Sequence, residues 1–323
     1  MKTNVKEPQT LQEAILYFGD PDNCLNYMVK HRWPEGVVCP TCGRKDATFL
    51  KNQRKWQCRS HHAQRQFSAK TGTIFEDSPL GLDKWLTAVW MITTAKNGVS
   101  SYEIHRAIGV TQKTAWFMMH RIRKAMQTGS FVRKLAGHVE VDETFIGGKA
   151  RFMHKNKKAK VFKRGASGKA IVVGVLERGG HVRAEVVGDR ERQNVQAVVR
   201  QHVEPGSQLS TDEWSAYFGL APEYAHKIIN HADSYVDGQV HTNGLENFWS
   251  LLKRGLKGTY VSVEPFHLYR YLDEQIFRYN NRATKKHFIS DNQRFQTVMD
   301  NVTGKRLTYE SLIGRELLEK PHA

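Results

Sequence analysis

HVEVDETFIGGK, residues 138–149, is the stretch on which the reading of the whole chain turns. Strand alternation sends Val139, Val141 and Phe145 to one face and His138, Glu140 and Asp142 to the other. Gly147 and Gly148 then close it as a turn. An acidic residue on a short β-branched strand, just ahead of a glycine pair, suits a metal-binding position. Taken alone, the plainer reading is a half-exposed strand with ordinary polar residues outward. Its flanks decide between the two.

At 323 residues the chain exceeds what one core usually absorbs, so two or three domains are expected. A hydrophobic content of 40% with 25% charged residues describes a globular protein rather than a disordered one. No apolar run approaches the roughly 20 residues needed to span a bilayer. The opening MKTNVKEPQTLQEA is too polar for a secretory signal, so a cytoplasmic location is expected. Forty-nine Lys+Arg against 32 Asp+Glu leave a net charge of +17, and the pI is near 9.7. That excess calls for a polyanionic partner, and nucleic acid comes first because no basic amphipathic helix suggests a membrane surface.

Upstream, residues 37–67 read VVCPTCGRKDATFLKNQRKWQCRSHHAQRQF. Cys39 and Cys42 form a knuckle on a turn closed by Gly43, and Cys58 with His61 repeats the two-residue gap. Three thiolates and an imidazole are a ligand set for structural Zn²⁺. His62 competes with His61 for the fourth position, and the spacing leaves both open. Between the knuckles, Phe49, Leu50 and Trp56 fit a small hairpin. Cys24, in PDNCLNYM, reads as a buried free thiol. With so little apolar core, such a ribbon would draw most of its folding free energy from zinc, about 10–16 kcal/mol in comparable sites.

After Pro79 the period becomes helical. Trp85, Leu86, Val89, Trp90 and Ile92 mark one helix, ended by Asn97-Gly98. Ser100 and Glu103 make a capping box for a short second helix that stops at Gly109, and Thr111 caps a longer third. Two helices joined by Ile108-Gly109-Val110-Thr111 predict a helix-turn-helix, with Gln112 and Lys113 towards base edges and Arg121, Arg123 and Lys124 towards phosphates.

Downstream, a very basic segment from Lys149 to Lys169 includes Lys155, Lys157, Lys158 and Lys160 and is suited to tracking a phosphate backbone. KAIVVGVLER, Gly179-Gly180 and HVRAEVVG predict a β-hairpin. A helix over 189–202, a short strand ending at Asp212 and a strand near 226–230 follow. The helix in HTNGLENFWSLLKRGLKGTY (241–260) carries the stripe Leu245, Phe248, Trp249, Leu252 and Leu256. On it Glu246 and Lys253 lie within about 20° of each other, about 10 Å apart along the axis. Asp142, Asp212 and Glu246 thus stand out as three carboxylates in the element order of a ribonuclease-H-like domain.

The ordered set CPTCG, TGTIFEDSPL, GVTQKTAWFMMHRIR, VDETFIGGK, TDEWSAY, HTNGLENFW, LKRGLKGTY and FRYNNR resembles the DDE transposases of prokaryotic insertion sequences, in the group with an N-terminal zinc ribbon and an ISXO-like transposase domain. The resemblance runs from about residue 25 to 290. It implies that Asp142, Asp212 and Glu246 are a catalytic triad holding two Mg²⁺ (or Mn²⁺) ions, and that Lys253 contacts DNA beside the chemistry, with His241 and Asn243 as weaker site candidates. In that family the second knuckle commonly reads CxxC, where this chain has His61, and some members carry Asn or His at the third catalytic position.

The implied organisation is a helix and zinc ribbon over 1–78, a helix-turn-helix over 79–130, a ribonuclease-H-like α/β catalytic domain over 135–290 and a C-terminal tail over 291–323. The implied activity is cleavage of double-stranded DNA at an element's terminal inverted repeats and transfer of the freed 3′-end to target DNA. Phosphates would be held by the 149–169 segment, Lys253, Arg254 and Lys257. At least a dimer would pair the ends, in a nucleoid-associated setting without a membrane. The rival is a zinc-ribbon and helix-turn-helix DNA-binding regulator, a domesticated relative whose acidic cleft is inactive.

Overall fold

Thr10 and Glu13 form a capping box that starts α1 (Leu11–Phe18), and Asp20 with Pro21 starts α2 (Pro21–Arg32). The computed structural model describes residues 6–127, 133–147, 169–229, 241–284 and 287–314. The chain divides into two units, residues 1–128 with 283–323, and residues 129–282.

In the first unit, β1 (Thr48–Leu50), β2 (Lys55–Gln57) and β3 (Gln66–Phe67) make a three-stranded antiparallel sheet in which Phe49 pairs with Trp56 and Trp56 with Phe67. The expected hairpin is present, and the sheet's two large buried rings, Trp56 and Phe67, stack at 5.9 Å. Three helices follow: α3 (Leu82–Thr94), α4 (Ser101–Ile108) and α5 (Gln112–Met126). The Ser100–Glu103 capping box, the left-handed Gly109 at φ +63° and the Thr111 cap all form where the sequence places them.

The second unit is built on a five-stranded mixed sheet in the order β6-β5-β4-β7-β8. β4 (His138–Ile146), β5 (Ala170–Glu177) and β6 (Val182–Val187) run antiparallel to one another, while β7 (Gln208–Asp212) and β8 (Ala225–Ile229) continue parallel to β4. The hairpin turns at Gly179-Gly180, as expected. Both faces are covered. Val139, Val141, Val173 and Val175 pack on α6 (Arg192–His202) through Val195, Val198 and Val199. Val172, Leu176 and Val182 pack on α7 (Asn243–Gly258) and α8 (Leu268–Asn280) through Leu245, Phe248, Trp249 and Leu272.

The opening stretch is therefore not a half-exposed strand. It is the central strand, and its polar face is buried too: Glu140 and Thr144 are both closed off from solvent. The reason is α7, whose apolar stripe covers that side.

Residues 291–314, which the sequence left as an unassigned tail, belong to the first unit. α9 (Asp291–Met299) puts Phe295 against Trp90, Phe18 and Tyr27 at ring distances of 5.1–5.7 Å. α10 (Tyr309–Leu312) follows, with Tyr309 edge-on to Phe117 at 5.6 Å. No helix of the described residues is long and apolar enough to cross a membrane.

Candidate metal centres

The first centre is local. Gly43, at φ +76°, lets the Cys39–Cys42 turn close, with its N–H donating to the Cys39 carbonyl at 2.9 Å. The N–H of Cys58 donates to Arg65 at 2.8 Å and ties the second knuckle to the end of the ribbon. Cys39, Cys42, Cys58 and His62 then converge, their ligand atoms all within 4.8 Å of one another. Cys39 Sγ lies 3.5 Å from His62 Nε2, and Cys42 Sγ lies 3.5 Å from Cys58 Sγ. The edges of a zinc tetrahedron, with bonds of about 2.3 Å to sulfur and 2.0–2.1 Å to nitrogen, are roughly 3.5–3.8 Å, so the donor set fits Zn²⁺.

His61, the expected fourth ligand, stands apart and is exposed, while its neighbour His62 lies among the thiols. Three intervening residues are an ordinary ligand spacing for zinc. Cys42 is already disposed to bind. Its thiol is lowered from 9.0 to about 6, chiefly by the Arg44 N–H, and the thiolate is the ligand form. Cys24 lies apart, with its Sγ 3.0 Å from the Phe18 carbonyl and its thiol pushed up to about 12 by burial, as expected of a structural thiol.

The second centre is assembled from distant segments. β4 and β7 pair from His138↔Gln208 to Glu140↔Ser210. Asp142 and Asp212 each lie two residues beyond the last β4–β7 pair, Asp212 at the carboxyl end of β7 and Asp142 midway along β4, which runs on to Ile146 paired with β5. Asp142, Glu143 and Asp212 bring a carboxylate oxygen each to within 4.8 Å of the others. Each is held. Trp249 Nε1 on α7 donates to Asp142 at 2.9 Å, the Tyr217 hydroxyl donates to Glu143 at 2.7 Å, and the Trp214 N–H donates to Asp212 at 3.1 Å.

Burial pushes Asp142 from 3.8 up to about 6; the Trp249 bond opposes this, and the charges of Asp212 and Glu246 add to it. Burial likewise pushes Glu143 from 4.5 up to about 7, opposed by Tyr217 and reinforced by Asp212 and Asp142. Tyr217 itself is raised well above 10 by burial, so it stays a donor. Oxygen-only donors that raise one another's proton affinity fit a hard divalent cation such as Mg²⁺.

Glu143 is a member of the cluster that the sequence does not single out. Consecutive residues leave a strand on opposite faces, so Asp142 emerges beneath α7 and Glu143 on the Tyr217 side, yet both reach the opening beyond the last β4–β7 pair. Glu246 does not join the three at that spacing. It is exposed in the first turn of α7, near enough for its charge to act on Asp142.

Glu140 has a different task. No side chain caps α7 at Thr242. The buried Glu140 does so from β4, accepting the Leu245 N–H at 3.0 Å, with Arg178 Nε at 3.3 Å and His241 Nδ1 at 3.3 Å beside it. Two glycines make this close approach of helix to sheet possible. A Cβ on Gly244 would lie 2.7 Å from Glu140 Oε2, and one on Gly174 would lie 2.7 Å from the Trp249 ring.

Among the expected DNA contacts, Lys253, Arg254 and Lys257 are exposed on α7, Lys113 is exposed at the start of α5, and Gln112 bonds Ser101 at 2.9 Å. Arg121 and Arg123 are not on a phosphate-facing surface. They are 4% and 1% exposed, and Arg121 bonds the Glu76 carbonyl and lies over the rings of Trp85 and Phe117. The charge pattern of α5 predicts an outer face here, but Arg121 packs on Trp85 of α3 and Arg123 is buried as well. Lys155, Lys157, Lys158 and Lys160, with the rest of that basic segment, lie outside the described residues.

Comparison with known proteins agrees with these two centres. Residues 19–64 match the transposase zinc-ribbon domain and residues 134–280 match the ISXO2-like transposase domain. A relative described as an uncharacterized protein in transposable element ISH50 of Halobacterium salinarum is 27% identical over 245 residues, covering 72% of this chain and 81% of the relative.

Proposed function

Because the chain belongs to the insertion-sequence transposases that pair a zinc ribbon with an ISXO2-like transposase domain, we propose that it binds the terminal inverted repeats of its element and cuts and rejoins DNA there. The observation that carries this reading is the meeting of Asp142 and Glu143 of β4 with Asp212 at the end of β7. The sheet order, three antiparallel strands followed by two parallel to the first, supports a ribonuclease-H-like domain.

In this reading Asp142, Asp212 and Glu143 hold divalent cation, with Glu246 as the carboxylate that α7 contributes. Two Mg²⁺ or Mn²⁺ ions, when bound, supply the charge that activates the attacking oxygen and stabilises the leaving one. The chain's own residues do the rest. Trp249 and Tyr217 fix the carboxylate orientations, and Glu140 fixes the start of α7 and with it the height of Glu246. Lys253, on the same helix face as Glu246, holds a phosphate beside the reaction, and Arg254 and Lys257 hold further phosphates. α4 and α5 act as a helix-turn-helix, presenting Lys113 and Gln112 to the element's end. Two copies pair the two ends.

The test uses duplexes cut from the DNA flanking the gene, incubated with Mg²⁺ or Mn²⁺ and scored for strand cleavage and joining. Asp142→Ala and Asp212→Ala should each lose ~10³-fold or more, the scale of several kcal/mol of charge stabilisation. Glu143→Gln and Glu246→Gln, compared side by side, rank the two remaining carboxylates. Joining by Asp142→Ala at the wild-type rate would overturn the assignment and leave the inactive DNA-binding regulator as the better reading. Binding should also weaken steeply with salt, since phosphate contacts dominate it.

A further inference from the structure

The chain turns sharply where α7 ends. Thr259 caps the helix, and three residues on, the N–H of Ser262 donates to the carbonyl of Tyr260 at 2.6 Å. That closes a three-residue turn around Val261, whose φ is +61°. A turn of this hand is rare and strained, and a β-branched residue at such a φ is an outlier. Burial does not compensate for the strain. Val261 is 78% exposed, the highest value among the large hydrophobic residues described. Phe266 and Tyr269, shortly after it, are exposed as well. The foot of the turn, by contrast, is fixed. The Tyr260 hydroxyl donates to Glu274 at 2.6 Å, and its ring packs on Tyr271 at 4.8 Å. A strained apolar tip on an anchored base is an arrangement that tends to mark function.

The helix leading to the tip indicates what occupies it. Glu246, Lys253 and Lys257 are spaced by seven and four residues, which places them within about 40° on one helix face. All three are exposed, as is Arg254 beside them. The rise of about 1.5 Å per residue puts Lys257 roughly 16 Å from Glu246 along the axis, with the turn just beyond. A cationic stripe thus runs from the carboxylate end of α7 to an apolar tip. Duplex DNA satisfies both features, its phosphates on the stripe and an apolar side chain between two base steps. A second copy's apolar patch would leave the stripe without a partner, and the transposase reading favours duplex DNA over an anionic lipid surface.

We propose that Val261 is a wedge that enters the DNA lying along α7 and unstacks one base step. At about 3.4 Å per base pair, that step lies roughly five to six base pairs from the reacting phosphate. The proposal rests on the DNA-transposase reading and deepens it.

The test uses the full chain without divalent metal, so that DNA is bound and not cut. The probes are duplexes from the DNA flanking the gene, with the fluorescent base aminopurine placed at successive positions. The wild type should brighten one step, and Val261→Gly and Val261→Ser should reduce that signal about five-fold or more, with the salt dependence of binding unchanged. Val261→Leu should restore it. Glycine relieves the positive φ, so the Tm of Val261→Gly should hold or rise. Wild-type unstacking by the glycine and serine variants would overturn the wedge, and so would a Tm for Val261→Gly several degrees lower, the mark of a packing role. A wild type that fails to bind these duplexes at low salt removes the transposase reading and the wedge with it. Binding and cutting without step-specific unstacking removes the wedge alone.

Discussion

The two metal centres are built in opposite ways. The ribbon's four candidate ligands come from 24 consecutive residues, 39 to 62, around a sheet with two large buried rings. The acidic centre joins Asp142 and Glu143 to Asp212, seventy positions away, on a sheet whose two faces are already covered by α6 and by α7 with α8. One site needs its metal in order to exist as a structure, whereas the other is held in shape by a core and carries the electrostatic cost of its own carboxylates. Removing metal should therefore unfold the first and relax the second.

The largest effect expected is on the ribbon. Chelation or Cys39→Ala should abolish its local fold, since comparable small sites draw about 10–16 kcal/mol from zinc. Zinc content measured by atomic emission should fall below one equivalent in His62→Ala and remain at one in His61→Ala, and equal losses in both would undo the ligand assignment. The acidic centre should behave otherwise. Asp142→Asn should keep the unit folded, with no loss of Tm in metal-free protein.

What holds the second centre is the seat of α7. Glu140→Ala strips the helix N-terminus of its only described cap and leaves Arg178 facing a buried gap. A cost of about 3–5 kcal/mol is expected, the range for breaking a buried charged pair, and should appear as a lower urea midpoint. Glu140→Gln, which still accepts from the Leu245 N–H, should recover part of it. Gly174→Ala is subtler. Its Cβ would meet the Trp249 ring, so overpacking of about 1–3 kcal/mol is expected, together with a displaced indole that no longer steadies Asp142. Activity should fall more than stability does, and an unaffected rate would mean that the Trp249 contact is dispensable.

The smallest effect is a pH dependence. Asp142 and Glu143 have folded-state values raised from 3.8 and 4.5 to about 6 and 7, so between about pH 4 and 7 the folded chain holds more protons than the unfolded one. Metal-free stability should then fall as pH rises through that window, and the part of stability due to protonation of these groups is present in full only below it. The rise in Tm on adding Mg²⁺ should accordingly be larger at pH 8 than at pH 5. A Mg²⁺ effect independent of pH would argue that the cation binds elsewhere.

Much of this was legible from residue types. The apolar stripe of α7, the hairpin at Gly179-Gly180 and the capping box at Ser100–Glu103 are local patterns, each set by neighbours within a few positions. Three cysteines two and fifteen residues apart announce a zinc knuckle. Other features depended on what packs against what. Arg121 and Arg123 look like phosphate ligands on an isolated helix, but tertiary packing buries both, Arg121 against Trp85 of α3. Phe295, Val298 and Met299 form an apolar face whose partner, Trp90, is two hundred residues earlier, so that segment looked like a tail.

On its own, then, the sequence determined the chemistry available: three thiols and adjacent histidines for zinc, carboxylates on strand ends and a helix for a hard cation, and a +17 surplus for a polyanion. Which side chains actually meet was decided by tertiary structure. His62 replaces His61 because the loop's path, and not residue type, aims the imidazole. Glu143 joins Asp142 and Asp212 because β7 stops pairing with β4 at Glu140, so side chains from both faces of β4 reach the opening beside Asp212. Glu140 becomes a helix cap because α7 lies on the sheet face that alternation alone would have left to solvent.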